Sequence, residues 1–373
     1  MKYKFSGIKE AFLFAVTLIS PLVSWGQTND PIGRESLNTI TTAVPILLVS
    51  PDARGAALGE SGVATTPDAN SLHWNPAKLG FLQSQVGGSV SYSPWLRSIG
   101  INDMSVNYLS FYIKTNERAA FSAAMRYFDL GEIQFTDIQG YDLQQINPKE
   151  YTFDVAYGQQ LSENLSLGIA ARFIHSNLSQ GFQDSKPGNS AAADVGIYYT
   201  KDLNLGGRDY NLSLGGNLSN IGAKIAYTNL DRKDFLPTNL RLGTAFTMNF
   251  DPFNKITLSV DANKLLVPSP GNDSTQSVPS AILSSFGDAN NGFSEELQEV
   301  SISTGLEYLY NNLFAARVGY FYENPNKGNR HYLSLGLGLK YQRIGIDTAY
   351  LVSNAGNPLA NTLRFTLSLN IDE

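Results

Sequence analysis

Cysteine is missing from all 373 residues, which excludes a disulfide scaffold, thiolate zinc, cysteine catalysis and a lipidated N-terminal cysteine. Charge is scarce: Asp, Glu, Lys and Arg make up 16 % of the chain, against roughly 25 % in an average domain. Basic residues are outnumbered 27 to 33, so the cationic footprint that nucleic acid requires is lacking. The three histidines, His73, His175 and His331, sit in separate segments without the paired spacing of a zinc site. Beyond the N-terminus there are no long hydrophobic runs, so nothing else matches a spanning helix of roughly 20 apolar residues.

The N-terminus has the three parts of a secretory signal. Lys2, Lys4 and Lys9 precede an apolar run from Ala11 to Ile19, and Ser24-Trp25-Gly26 supplies small residues for cleavage after Gly26. The expected signal peptide is 1–26. Its removal leaves 24 basic against 32 acidic residues. Few charges, together with slightly negative mean hydropathy and no apolar runs, suit a membrane β-barrel, where only alternate residues of a strand must be apolar.

From about Gln85 the chain breaks into segments of alternating polarity. In 331–341, Leu333, Leu335, Leu337 and Leu339 oppose Ser334, Gly336, Gly338 and Lys340. In 361–371, Leu363, Phe365, Leu367, Leu369 and Ile371 oppose Thr362, Arg364, Thr366, Ser368 and Asn370. Fourteen such candidates run near 85–93, 104–115, 118–128, 151–162, 164–177, 190–200, 210–220, 239–250, 255–264, 300–310, 313–323, 331–341, 344–352 and 361–371. Links after even-numbered candidates are mostly tight, 201–209 being longer; those after odd-numbered ones are mostly long. The expected fold is all-β: a 14-stranded antiparallel transmembrane β-barrel over 85–373. Short turns and both termini fall in the periplasm and the long loops outside the cell. A soluble barrel would carry charge on its outer face; here the polar face is mild, and most charge collects in loops. Only a closed barrel or a helix pairs every backbone group inside lipid.

Residues 27–84 do not alternate. A lumen of fourteen strands needs filling, so this segment is expected to be an N-terminal plug, with a periplasmic tail as the alternative. The longest loop, 265–299, carries Ile282, Leu283, Phe286 and Phe293, more large apolar residues than a solvated loop tolerates. They imply contact with the barrel's own rim or with a partner. Catalytic signals are weak. His175-Ser176 suggests a barrel-wall acyl hydrolase, but an interfacial polar pair explains it more simply. Asp129, Asp137, Asp142 and Glu150 share a region that suits calcium only loosely, and Leu205-Gly206-Gly207-Arg208 lacks the Lys-Ser/Thr of a phosphate cradle. The expectation is no enzyme, no cofactor and no metal.

The run Pro51-Asp52-Ala53-Arg54-Gly55-Ala56-Ala57-Leu58-Gly59-Glu60-Ser61-Gly62-Val63-Ala64, followed by Asn70-Ser71-Leu72-His73-Trp74-Asn75-Pro76-Ala77-Lys78-Leu79-Gly80, resembles the N-terminal region of the PorV family of the type IX secretion system. The Asn-Pro-Ala element also resembles the wider FadL-like barrels. The resemblance implies an outer-membrane protein of a Gram-negative bacterium, with Arg54, Gly55, Asn75 and Pro76 as the plug motif. It implies as partners the large translocon barrel, the C-terminal signal domains of secreted cargo, the surface attachment (sortase) complex and outer-membrane lipid. The rim residues Ile282, Leu283, Phe286 and Phe293 are the expected partner contact. FadL-like transport of a hydrophobic small molecule is the alternative.

Overall fold

A computed structural model describes residues 39–97, 100–178, 180, 185–227, 233–270, 275–352 and 361–372. The expected signal peptide and residues 27–38 lie outside the described residues, as do 271–274 and 353–360 of two expected loops.

Period-2 alternation becomes strand wherever it was expected, because a paired strand satisfies every backbone group while its faces differ in polarity. The first strands are β1 (Val86–Pro94), β2 (Ser105–Asn116) and β3 (Ala119–Asp129). A short hairpin, β4 (Ile133–Thr136) and β5 (Asp142–Ile146), stands apart from the main sheet. The wall continues with β6 (Lys149–Gln160), β7 (Leu165–Asn177), β8 (Gly188–Leu205) and β9 (Arg208–Gly222). Then follow β10 (Asn239–Asn249), β11 (Asn254–Leu265), β12 (Val300–Tyr310) and β13 (Phe314–Tyr322). The last are β14 (His331–Tyr341), β15 (Ile344–Val352) and β16 (Thr362–Ile371). Fourteen of these form a closed antiparallel barrel, which β1 completes by pairing Val86 with Ile371 on β16 and with Ile113 on β2.

The barrel inverts the polarity of a soluble protein. On β14, Leu333, Leu335, Leu337 and Leu339 are exposed while Ser334, Gly336 and Gly338 are buried. On β16, Leu363, Phe365, Leu367 and Leu369 are exposed and Arg364 and Thr366 are buried. An apolar belt of this extent is stable only against lipid. Among the described residues no helix is long and apolar enough to cross a membrane; the strands do so.

Two links differ from expectation. The link 201–209 is not a loop: β8 and β9 extend into it and meet at Gly206-Gly207, whose φ values of 61° and 76° suit a tight hairpin turn. The link 129–150 holds the β4–β5 hairpin. At the short-turn end, Asn311-Asn312 makes a turn of the same positive-φ kind.

Ahead of β1 the chain runs inside the ring. It contains a 3-10 turn (Pro45–Leu48), helix α1 (Ala53–Ala57), helix α2 (Ser71–Trp74) and a second 3-10 turn (Pro76–Phe81). It starts at the long-loop end. Ile46 and Leu47 pack against Val106, Phe128, Ile174, Ile225 and Leu236 there, and Ile40 packs against Phe235, Val267 and Ala281. It descends to Gln85, which meets Lys114 at the short-turn end. The C-terminal strand finishes at the short-turn end, as expected, whereas the first described residues lie at the opposite one. Sequence patterning gave no account of this direction, because the segment has no alternation to orient it. Two further helices, α3 (Val278–Ser284) and α4 (Phe293–Gln298), lie in the longest link.

Candidate functional site

The inner segment folds around one indole. Asp52 accepts hydrogen bonds from Gly55 N (2.7 Å) and Trp74 Nε1 (2.8 Å), capping α1 and tying it to α2. A Cβ at Gly55 or Gly62 would overlap the Trp74 ring, so the two glycines form the walls of its slot. Asn75 caps the following turn through Ala77 N (3.0 Å) and donates to Val63 O (3.1 Å) and to Ile197 O of β8 (2.9 Å). Pro76 occupies the first position of that turn, where its missing N–H is no loss. Lys78 is buried and donates to Gly62 O (2.9 Å) and Thr65 Oγ1 (3.1 Å).

Backbone-to-wall contact is the main feature of the docking. Gly158, Gly168 and Gly196 lie side by side on β6, β7 and β8, and a Cβ on any of them would overlap Pro76 or Asn75. Gly215 meets the Val63 backbone, Gly305 meets Leu58, and Gly319 meets Gly59 and the Leu58 backbone. These glycines give the segment room to lie directly on the wall. Hydrogen bonds follow at the same places: Gly59 N to Ser334 Oγ (3.0 Å) and Ala53 N to Thr366 Oγ1 (2.8 Å). Asp261 of β11 accepts from Ser61 Oγ (3.0 Å), Gly62 N (2.7 Å) and Val63 N (3.0 Å).

The inner face is more highly charged than the expected mild surface. Arg54 makes a two-pronged pair with Glu307 (3.0 and 3.1 Å) and also holds Asp68 (2.9 Å). Glu307 in turn accepts from Arg317, which reaches Asp347, each at 2.6 Å. A second group joins Arg172 to Asp154 (2.7 Å), Asp194 (3.1 Å) and Asn220. The charges of these two groups are paired, as a low-dielectric site requires. The Arg54 chain forms the floor of a polar chamber of about 960 Å³, open among short-turn residues such as Glu117, Glu163 and Asn312.

At the other end, α3 and α4 form a rim. Ala281 is buried, Val278 packs beside it and Ile282 is half-buried, so part of the apolar loop covers its own barrel. Leu283 (77 % exposed), Phe293 (75 %), Phe286 and Leu297 do not. Phe293 and Leu297 share one face of α4 at i, i+4 spacing. An ionic cluster fastens this rim. Lys264 holds Glu296 (2.8 Å) and Glu299 (2.7 Å), and Lys327 holds Glu295 (2.6 Å) and Glu299 (3.0 Å). Burial raises the Glu299 pKa, but hydrogen bonds from Lys264, Ser269 and Lys327 outweigh it and hold the carboxyl below its usual range. Asp288, Glu296 and Glu299 bring ligand oxygens together, but two lysine ammoniums already occupy that position.

The structure thus brings Arg54, Gly55, Asn75 and Pro76 together in one docked unit and places Ile282, Leu283, Phe286 and Phe293 at the far rim. His175 and Ser176 point to opposite faces: His175 stacks on Tyr151 and bonds Asn189, while Ser176 donates to Glu150 (2.6 Å). They do not form a nucleophile and base. The region near Asp129 does not gather its carboxylates either. Asp137 is spent on the β4–β5 turn and Glu150 on Ser176. The docking glycines and Asp261 were missed as a set. The available signal was their recurrence on the polar face of successive strands.

Comparison with solved structures supports the barrel. The Pseudomonas putida toluene transporter TodX is 12 % identical with a TM-score of 0.50, covering 88 % of this chain and 100 % of that one. The Ralstonia pickettii toluene transporter TbuX is 10 % identical (TM-score 0.46; 90 % and 99 % covered). A Pseudomonas aeruginosa FadL homologue is 12 % identical (TM-score 0.44; 87 % and 99 % covered). At such identity the first likeness shows the fold alone. None of the curated proteins matches the chain. The family model "Type IX secretion system protein PorV" matches residues 33–272, well over half of the chain, and the chain belongs to the PorV family of outer-membrane barrels.

Proposed function

We propose that this barrel is a cargo-handling component of the type IX system that works through its rim and not through its lumen. It binds the C-terminal signal domain of secreted cargo at the large translocon barrel and passes it to the surface attachment (sortase) complex. The supporting observation is the division of the molecule. A plug, residues 27–84 by the sequence boundaries, has its described part seated on wall glycines, while Leu283, Phe286, Phe293 and Leu297 stay exposed at the long-loop end. With short turns periplasmic, that end faces outside the cell. Apolar side chains held there on two short helices, of which α4 is ion-paired, suit a protein contact, because their ordering cost is already met in the free protein. FadL-like uptake would need an apolar pocket between plug and wall. Ile46 and Leu47 fill the apolar end themselves, and the large chamber is polar.

Changing Ile282, Leu283, Phe286 and Phe293 together to Ser is expected to leave barrel insertion unchanged. Co-purification of the translocon barrel and of secreted proteins sharing a C-terminal domain is expected to fall at least tenfold, as losing a few buried apolar contacts at about 1.4 kcal/mol per decade implies. Full secretion and undiminished co-purification in that variant would remove α3 and α4 from the proposal.

A further inference from the structure

The rim helix α3 is tied to the barrel by packing alone. It has seven residues, and an isolated helix shorter than about 12 residues is marginal in water. Among the described residues, the hydrogen bonds of 276–287 stay within that stretch: Ser277 caps Ser280 N (3.4 Å), Ser284 donates to Gln276 (3.2 Å) and Ser285 to Ile282 O (2.9 Å). The stretch has no charged residue with which to form an ion pair. Its seat is apolar: Val278 and the fully buried Ala281 pack with Phe235, Val267 and Ile40 of the inner segment. α4 differs, because Lys264 and Lys327 hold it.

Phe235 is the fixed member of this group. Close to it, Thr238 Oγ1 donates to Asn220 O of β9 (2.9 Å) and Leu266 N donates to Thr238 O (2.7 Å). Lys224 Nζ lies 3.9 Å from the centre of the Phe235 ring. Phe235 O accepts from Ala43 N (2.9 Å), which pins the leading end of the inner segment beside Ile40. The next residue, Val44, is buried and has φ 50° and ψ 52°. That backbone conformation is strained for a β-branched side chain, so its surroundings must impose it. Ala43 is held by Phe235 on one side, and Ile46 and Leu47 are held in the long-loop cluster on the other. The strained turn thus divides the segment. Residues 39–43 lean on the rim, and those after Val44 run down to the wall glycines.

We propose that residues 39–43, turned at Val44, form a strut that keeps α3 in place, so that the order of the exposed rim depends on the inner segment. Ile40 is the positioning residue, because it completes the apolar seat on which α3 relies. Leu283 lies on that helix and Phe286 just after it, so the strut regulates the partner contact proposed above. Its use rests on that reading; its existence does not. Such coupling is reciprocal: a partner that orders α3 also orders 39–43, while the part seated on the wall glycines stays where it is.

The test is amide exchange on the full mature barrel in detergent. Ile40→Ser should speed exchange in 278–285 by about tenfold or more, with 293–298 and the wall strands at the parental rate. Ile40→Val, which keeps a branched apolar side chain, should restore slow exchange. If the serine variant does not insert, Ile40→Thr against Ile40→Val makes the same comparison, because the two differ only by a hydroxyl in place of a methyl. Unchanged exchange in 278–285 overturns the strut, and so does a rise spread over the whole barrel. Capture of cargo signal domains is scored separately on the same variants. A loss of capture that follows α3 exchange, and returns in Ile40→Val, supports the regulatory role. Faster α3 exchange with undiminished capture overturns that role and takes α3 out of the partner contact, while the strut itself stands.

Discussion

Trp74 lies between Gly55 and Gly62, donates to Asp52 and carries Arg241 on its face. Removing the ring leaves a slot whose glycine walls have no side chains with which to collapse. Trp74→Ala is therefore expected to destabilise the barrel by about 3–5 kcal/mol, read as a lowered unfolding temperature in detergent. Gly62→Val should destabilise through overlap with the same ring. A Gly62→Val barrel as stable as the parent would show that the indole moves aside, contrary to a slot of fixed width. The sequence displayed these residues as a motif, yet it did not say that the glycines serve the tryptophan. The slot forms only when stretches about a dozen residues apart fold back on each other.

At the scale of elements, the rim has a pH window. Glu299 has a lowered pKa, so the stability it adds is present above the usual carboxylate value and is lost as pH falls through its lower folded value. For Lys327, burial lowers the pKa, but hydrogen bonds to Glu295 and Glu299 raise it overall. Its contribution is present below the usual lysine value and is lost as pH rises through the higher folded one. Amide exchange in 278–299 is therefore expected to be slow across neutral pH, once corrected for the intrinsic rate. It should speed up as pH falls below the usual carboxylate range, while the strand amides stay protected. Equal acid response in rim and strands would place the transition in the whole barrel instead. Lys264, Ser269 and Lys327 come from three separate positions along the chain, which is why alternation and loop length gave no hint of the cluster. All fourteen wall strands were legible because lipid enforces strict polarity on one face. The β8–β9 extension over Lys201, Asp202 and Asn204 was not, since beyond the membrane a strand needs only backbone pairing. The β4–β5 hairpin was hidden because its strands are short: Ile133 and Phe135 alternate with Gln134 and Thr136 over four residues only, and Leu143-Gln144-Gln145-Ile146 does not alternate.

For the whole molecule, the wall and the segment inside it are tied at many points. Ser334 Oγ lies 3.0 Å from both Gly59 N and Ala57 O, and Thr366 Oγ1 lies 2.8 Å from Ala53 N. Asp261 takes three further donors from residues 61–63, and at the wall glycines no layer of side chains separates the inner segment from the wall. If the lumen is never the route, fixing the plug should cost nothing. The absence of native cysteine makes this testable, because any thiols introduced at Ala53 and Thr366 are the only ones in the chain. A barrel carrying Ala53→Cys and Thr366→Cys is expected to secrete cargo at the parental rate whether the pair is oxidised or reduced. In a planar bilayer the parent should pass no steady current, and oxidation should not change that. Secretion that stops on oxidation and returns on reduction would mean that the plug moves during each cycle. The lumen would then be part of the mechanism, and the glycine seam would be a sliding surface instead of a seat.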